Sequence, residues 1–221
     1  MVTLSPSDAV ILVRKNLDEL DPNGSVMYDP DNAHGDNESL DDVIRRMLPE
    51  AVNEVHLAAP TALLEGKDVT AENPAMSDGV LSFSLGEDSK FLRLVAFRAS
   101  DSAIVVTDPL PEASPEGRKQ LNQYIRGRYD RPRLVLLQGR HTGPAFKYYS
   151  MRDGYNGTAE DAIAQLSIVE ELFYSAEATG YDISRRLRQN IIDTLTAKVL
   201  ETYSDQRAQV FYQKANNFPT I

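Results

Sequence analysis

Val80-Leu81-Ser82-Phe83-Ser84-Leu85, Gly86-Glu87-Asp88-Ser89 and Phe91-Leu92-Arg93-Leu94-Val95-Ala96-Phe97 mark where the hydrophobic period of this 221-residue chain changes from helix to strand. The first run alternates weakly, the second is a turn by composition, and the third is rich in β-formers, so the three together predict a β-hairpin. Downstream, Ile104-Val105-Val106 is a further strand candidate, followed by a proline-rich connection from Asp108 to Pro115. Leu134 to Leu137 and Ala145 to Tyr149 are two more, separated by Gly139 and Gly143. Ala159–Leu172 fits either type, with Ile163, Leu166, Val169 and Leu172 at helical spacing and Gln165–Ile168 compatible with a strand.

On either side of this β region the period is helical. Ser5 can cap a helix with Pro6 at its first position and Asp8 completing an S-x-x-D pattern. Val10, Val13, Leu17 and Leu20 then fall on one face, before a polar, turn-rich loop over 21–38. Ser39 caps a second helix, with Leu40, Val43, Ile44, Met47, Val52, Val55 and His56 on its stripe. Pro49 inside it is expected to kink or divide the helix, since it removes a backbone donor. Near the far end, Asp182 is read as the cap of a helix in which Ile183, Leu187, Ile191, Leu195 and Val199 recur at four-residue spacing, and a last short helix follows the break at Ser204-Asp205. The fold class expected is α+β: an N-terminal helix pair, a central antiparallel β-sheet and C-terminal helices. The chain reads as one domain over 1–221, helical to residue 60, mainly β over 79–173 and helical again over 182–216.

Composition sets bounds on the chemistry. With no cysteine, disulfides, thiolate zinc sites and cysteine nucleophiles are all excluded, as fits folding in a reducing cytoplasm. Met1-Val2-Thr3-Leu4-Ser5-Pro6 has neither the basic nor the apolar region of a signal peptide, and no apolar run approaches the roughly 20 residues that span a bilayer. The formal net charge of −10 conceals a division along the chain. Residues 1–80 hold 5 Lys and Arg against 16 Asp and Glu, whereas residues 118–152 hold nine cations against Asp130 alone. Such segregation suits complementary docking between copies or a basic face turned toward an anionic partner.

No catalytic constellation can be assembled from these residues. His34 lies among Asp29, Asp31, Asp36 and Glu38, but the spacing fails the calcium-loop pattern, so this reads as a solvated loop. His56 reads as a packing residue of its helix. Arg140-His141 follows a strand as in histidine phosphatases, yet no later histidine completes that chemistry, and Pro144 leads into a strand rather than the helix a phosphate would need. No nucleophile-elbow, phosphate-loop, dinucleotide or zincin motif is present. The expectation is a protein that is not an enzyme and that uses no cofactor or metal.

The basic stretch 118–152 carries more information. Its charges, Arg126, Arg128, Arg131, Arg133 and Arg140 among them, are interleaved with Tyr124, Tyr129, Phe146, Tyr148 and Tyr149, the mixture that grips phosphates and stacks bases. Arginine and tyrosine are equally the residues enriched at protein interfaces, and the acidic N-terminal half of the same chain favours protein contacts. A nucleic-acid-binding module centred on 118–152 is the alternative.

Ser39-Leu40-Asp41-Asp42-Val43-Ile44-Arg45-Arg46-Met47-Leu48-Pro49-Glu50-Ala51-Val52-Asn53 and Phe91-Leu92-Arg93-Leu94-Val95-Ala96-Phe97-Arg98-Ala99-Ser100-Asp101, with the strands around 133–150, resemble the head–tail adaptor or neck-ring proteins of tailed bacteriophages, in particular crAss-like short-tailed phages. The likeness lies in element order and phrasing, and the chain departs from it in having no tryptophan after Ser100-Asp101. The resemblance implies a virion structural protein, made in the host cytoplasm and residing in the neck of the particle. It would form a homo-oligomeric ring, twelve-fold, that binds the portal protein and other neck or tail rings, lines or extends the channel through which DNA passes, and contacts no membrane. Ile183, Leu187, Ile191, Leu195 and Val199 of the long C-terminal helix are then docking candidates beside the basic and aromatic residues.

Overall fold

Serine caps start the first two helices, as the sequence predicts. In the computed structural model, which describes residues 2–17, 39–86, 88–137, 143–152 and 154–220, helix α1 spans Pro6–Asn16 and helix α2 spans Leu40–Ala58. The Ser5 hydroxyl accepts from the Asp8 amide, and Ser39 accepts from the Asp42 amide while its own hydroxyl donates to the Asp42 carboxylate at 2.7 Å. The loop 21–38 with His34 lies outside the described residues, as does the expected end of the first helix at Leu20. Pro49 does not divide α2. The lost bond to the Arg45 carbonyl costs about 3 kcal/mol, but Ile44 and Leu48 before the proline and Val52 and Val55 after it are all buried, and that continuous stripe holds the two halves in one helix.

The chain packs as two compact units rather than as three successive parts. Unit 1 joins the two ends, Met1–Glu65 and Leu172–Ile221, and unit 2 is Gly66–Glu171. In unit 1 the short strands β1 (Val2–Leu4) and β10 (Tyr181–Ile183) pair antiparallel. Asp182 is therefore a strand residue and not a helix cap. Helix α4 begins only at Arg188, after a 3-10 turn over Arg185–Leu187, and runs to Thr202; α5 is Ala208–Ala215. Helix α4 packs against α1, α2 and α5 together. Every residue from Asn190 to Ala197 is buried. Asn16 Nδ2 donates to Thr196 Oγ1 at 3.0 Å, the Lys198 ammonium reaches Glu54 at 3.0 Å and Glu50 at 3.3 Å, and Arg14 pairs with Asp41 at 2.7 Å.

Unit 2 holds two sheets where the sequence predicts one. The first has the order β2 (Lys67–Asp68), β9 (Ile163–Glu170), β5 (Phe91–Ala99). The second has the order β3 (Glu72–Ser77), β4 (Val80–Ser84), β8 (Ala145–Tyr148), β7 (Leu134–Leu137), β6 (Leu110–Pro111), and its β6–β7 pair is parallel. The expected hairpin of Val80–Leu85 with Phe91–Phe97 is not made. Strand β4 pairs with β3 and β8, whereas β5 pairs with β9, which resolves the ambiguous 159–172 segment as a strand. Of Ile104-Val105-Val106 only Val106 bridges to Phe97, and the other two side chains are exposed. Phe83 and Phe146 from one sheet and Phe97 from the other stack within a shared core, with ring centroids 5.2 Å apart for Phe83–Phe97 and 5.3 Å for Phe83–Phe146. Offset aromatic contacts of this kind add to the burial of their large surfaces. A smaller cluster of Val135, Leu137, Ala145 and Tyr149 packs separately and underlies the segment that carries the basic residues.

Candidate functional site

Helix α3 (Pro115–Lys119) opens the basic segment. Ser114 caps it by accepting from the Gly117 amide at 2.9 Å, and Gly117 approaches the Pro111 carbonyl so closely that an added Cβ would sit 2.2 Å from its oxygen. The chain then turns back on itself. Gln120, buried, donates through Nε2 to the Glu116 carbonyl and accepts through Oε1 from the Gly127 amide at 2.7 Å, so one side chain closes the loop 120–127. Arg128 and Arg131 form a reciprocal pair of backbone bonds, 3.2 and 2.9 Å, around the tight turn at Tyr129-Asp130. The Arg133 amide donates to Ser150 Oγ at 2.9 Å and its carbonyl accepts from the Tyr149 amide, which fastens the segment to the end of β8. Gly127 is required here, since a Cβ would meet Ser150 Oγ at 2.6 Å and Arg133 Cβ at 2.9 Å.

This scaffold gathers most of the basic and aromatic residues singled out from the sequence. Tyr124, Arg126, Arg128, Arg131 and Arg133 line one hollow of about 630 Å³, together with Lys119, Ile125, Glu116 and Asp130. The charge balance of that lining is five cations to two carboxylates. Arg126 has a structural task as well, because its guanidinium donates to the Asp78 carbonyl at 2.8 Å in the β3–β4 turn. Tyr129 stands beside the hollow, with the Arg152 guanidinium 5.9 Å from its ring centre. Another hollow, of about 470 Å³, lies along the other face of α3, between Arg118, Leu121, Lys147 and the buried ring of Tyr149. Burial, with Glu112 adding to it, raises the Tyr149 phenol above its ordinary range against the opposing effect of Arg126.

Ion pairing decides how these cations are to be read. Elsewhere Arg14, Arg93, Lys67 and Lys198 each meet a carboxylate. Among the described residues, none of Arg118, Lys119, Arg126, Arg128, Arg131, Arg133, Lys147 and Arg152 does. Four large apolar or aromatic side chains stand exposed in the same segment, Leu121 at 74%, Tyr124 at 79%, Ile125 at 58% and Tyr129 at 45%. Sequence pattern alone does not single out Leu121 and Ile125. Their i, i+4 spacing is also that of a buried helix stripe, so nothing local announces their exposure.

The other nominated set requires correction. Ile183, Leu187, Ile191, Leu195 and Val199 are all 0% exposed within unit 1, with Ile183 in β10 and Leu187 in the turn before α4. They are core residues with no surface to offer a partner. Arg140 and His141 lie outside the described residues. His56 is buried on α2, and desolvation pushes its imidazole down to about 4, so it is neutral at physiological pH and acts in packing. Among the described residues no three His, Asp or Glu side chains gather as metal ligands, and no helix is long and apolar enough to cross a membrane. No protein-family model matches the sequence, and no curated protein matches it.

Proposed function

We propose that the chain is a structural assembly protein that works by contact, as a ring in the head–tail connector of a tailed phage, joining portal to tail around the DNA channel. One observation carries the contact reading: the segment 118–133 presents cations without carboxylate partners and exposed apolar side chains on a hydrogen-bonded scaffold. A cluster of like charges does not stabilise the monomer that bears it, and arginine beside exposed tyrosine is the composition enriched at interface centres. The resemblance of the runs 39–53 and 91–101 to neck-ring proteins supports that assembly as the place of the contact. The test is co-elution of the full chain with the portal protein encoded in the same genome. A stable portal complex of ring stoichiometry is expected, and a chain that never associates with portal contradicts the proposal.

A nucleic-acid surface is the second reading, favoured by the Arg152–Tyr129 stack and the outward Tyr124. It requires duplex or single-stranded DNA affinity that falls by orders of magnitude between low and physiological salt. A chain that binds DNA through this segment and ignores portal would replace the first reading with the second.

A further inference from the structure

The basic hollow between α3 and the Arg128–Arg131 turn needs a partner that is both acidic and apolar, because its lining is both cationic and hydrophobic. Nucleic acid supplies the charge and flat bases but no aliphatic groups to cover the exposed Ile125 in that lining. The chain itself contains a stretch of the required chemistry. Residues 18–38 hold seven carboxylates and no lysine or arginine, with Val26-Met27-Tyr28 between the acidic flanks. We infer that the hollow of one copy receives the segment 18–38 of a neighbouring copy. The inference rests on the assembly reading above and gives it a specific contact.

Charge complementarity is the main support. At neutral pH the segment brings seven negative charges to a hollow whose lining has five cations and two carboxylates. Val26, Met27 and Tyr28 would bring apolar groups to the exposed Tyr124 and Ile125 of the lining, so the contact has an anchor as well as steering charges. A surface of one sign meeting a different surface of opposite sign is a heterologous contact, and repeated head to tail it closes into a ring when the rotation allows. Screening acts on such pairs over about 8 Å at physiological salt, so association should weaken with ionic strength while the apolar anchor leaves a residue of affinity.

The first measurement uses a fluorescent peptide of residues 18–38 titrated onto the full chain. Binding is expected, and Arg128→Glu/Arg131→Glu/Arg133→Glu should weaken it about tenfold or more, the sum of several exposed pairs. All three side chains are exposed, so the variant is expected to fold, and its circular dichroism and melting curve check this. Equal binding to both proteins, or none to either, overturns the inference. So does a DNA duplex that binds the same arginines where the peptide does not. A second measurement separates neighbour from self. The triple variant is mixed with a chain in which Asp29, Asp31 and Asp36 are changed to Lys. If the contact joins two copies, cross-linking appears in the mixture and is lost in each variant alone; a mixture no better than either variant overturns it. Portal binding by wild type in that case leaves the assembly reading intact, whereas loss of portal binding by wild type fails that reading separately.

Discussion

Replacing His56 by leucine should flatten the acid side of the stability curve. The wild-type imidazole is held at about 4 by burial, against an ordinary value of 6.5. Between those values the unfolded chain takes up a proton that the folded chain refuses, so stability falls as the pH drops through this window and is fully retained above 6.5. The full loss is about 3 kcal/mol on reaching pH 4, and about 2 kcal/mol of it has accrued by pH 5. Other groups titrate lower down. The Ser39 hydroxyl and then Arg45 hold Asp42 below its ordinary 3.8, so its contribution is present above that value and lost beneath it. Burial raises Asp193, which acts with the opposite sign. Both cancel in the difference between wild type and His56→Leu. The assay is urea unfolding followed by far-ultraviolet circular dichroism at pH 7.5, 6.0 and 5.0. The gap between the two proteins should shift by about 2 kcal/mol toward the variant on going from 7.5 to 5.0. Parallel pH profiles would refute the claim that this histidine is buried neutral.

Leu195→Ala removes a fully buried side chain from the helix that packs against α1, α2 and α5 and should cost roughly 2–5 kcal/mol, read as a lower urea midpoint at unchanged slope. Asn190→Ala removes the donor that holds the Ala215 carbonyl at 2.6 Å and reaches the Asn217 carbonyl at 3.3 Å, so α5 should become cleavable by protease at a denaturant concentration where wild type resists. Gly127→Ala places a methyl 2.6 Å from Ser150 Oγ and should lower stability by about 1–3 kcal/mol while weakening the portal or peptide contact of the adjoining arginines.

Where the signal is local, the sequence spoke plainly. Ser5 with Pro6 and Ser39 with Asp42 announce helix starts through the residues that form the caps, and Leu134–Leu137 with Ala145–Tyr148 form the strand pair that their composition suggests. Strand partnership is not local. Val80–Leu85 and Phe91–Phe97 look like hairpin arms across a polar turn, yet β5 finds its partner about seventy residues on, because Leu94 and Phe97 pack opposite Ile168 and Leu166. Strand β3 escaped notice because Asn73, at φ 50°, and Pro74 interrupt its alternation at a bulge. The stripe from Leu187 to Val199 was visible as a stripe, but its spacing cannot say whether the cover is a partner or the rest of the monomer. The buried Asn190, Asp193, Thr194 and Thr196 on the intervening positions answer that: the middle of α4, residues 190–197, is enclosed on all sides. The basic segment was legible as charge, and its lack of carboxylate partners came only with the fold.

The central claim is that Arg128, Arg131 and Arg133 serve association and not folding. Mass measurement of portal mixed with wild type or with Arg128→Glu/Arg131→Glu/Arg133→Glu, at matched concentration and physiological salt, tests it most directly. The account predicts a ring's worth of added mass for wild type and little or none for the variant, with melting curves that agree to within about 0.5 kcal/mol, as for exposed unpaired charges. Equal loading of portal by both proteins, or a variant that fails only because it unfolds, would contradict it.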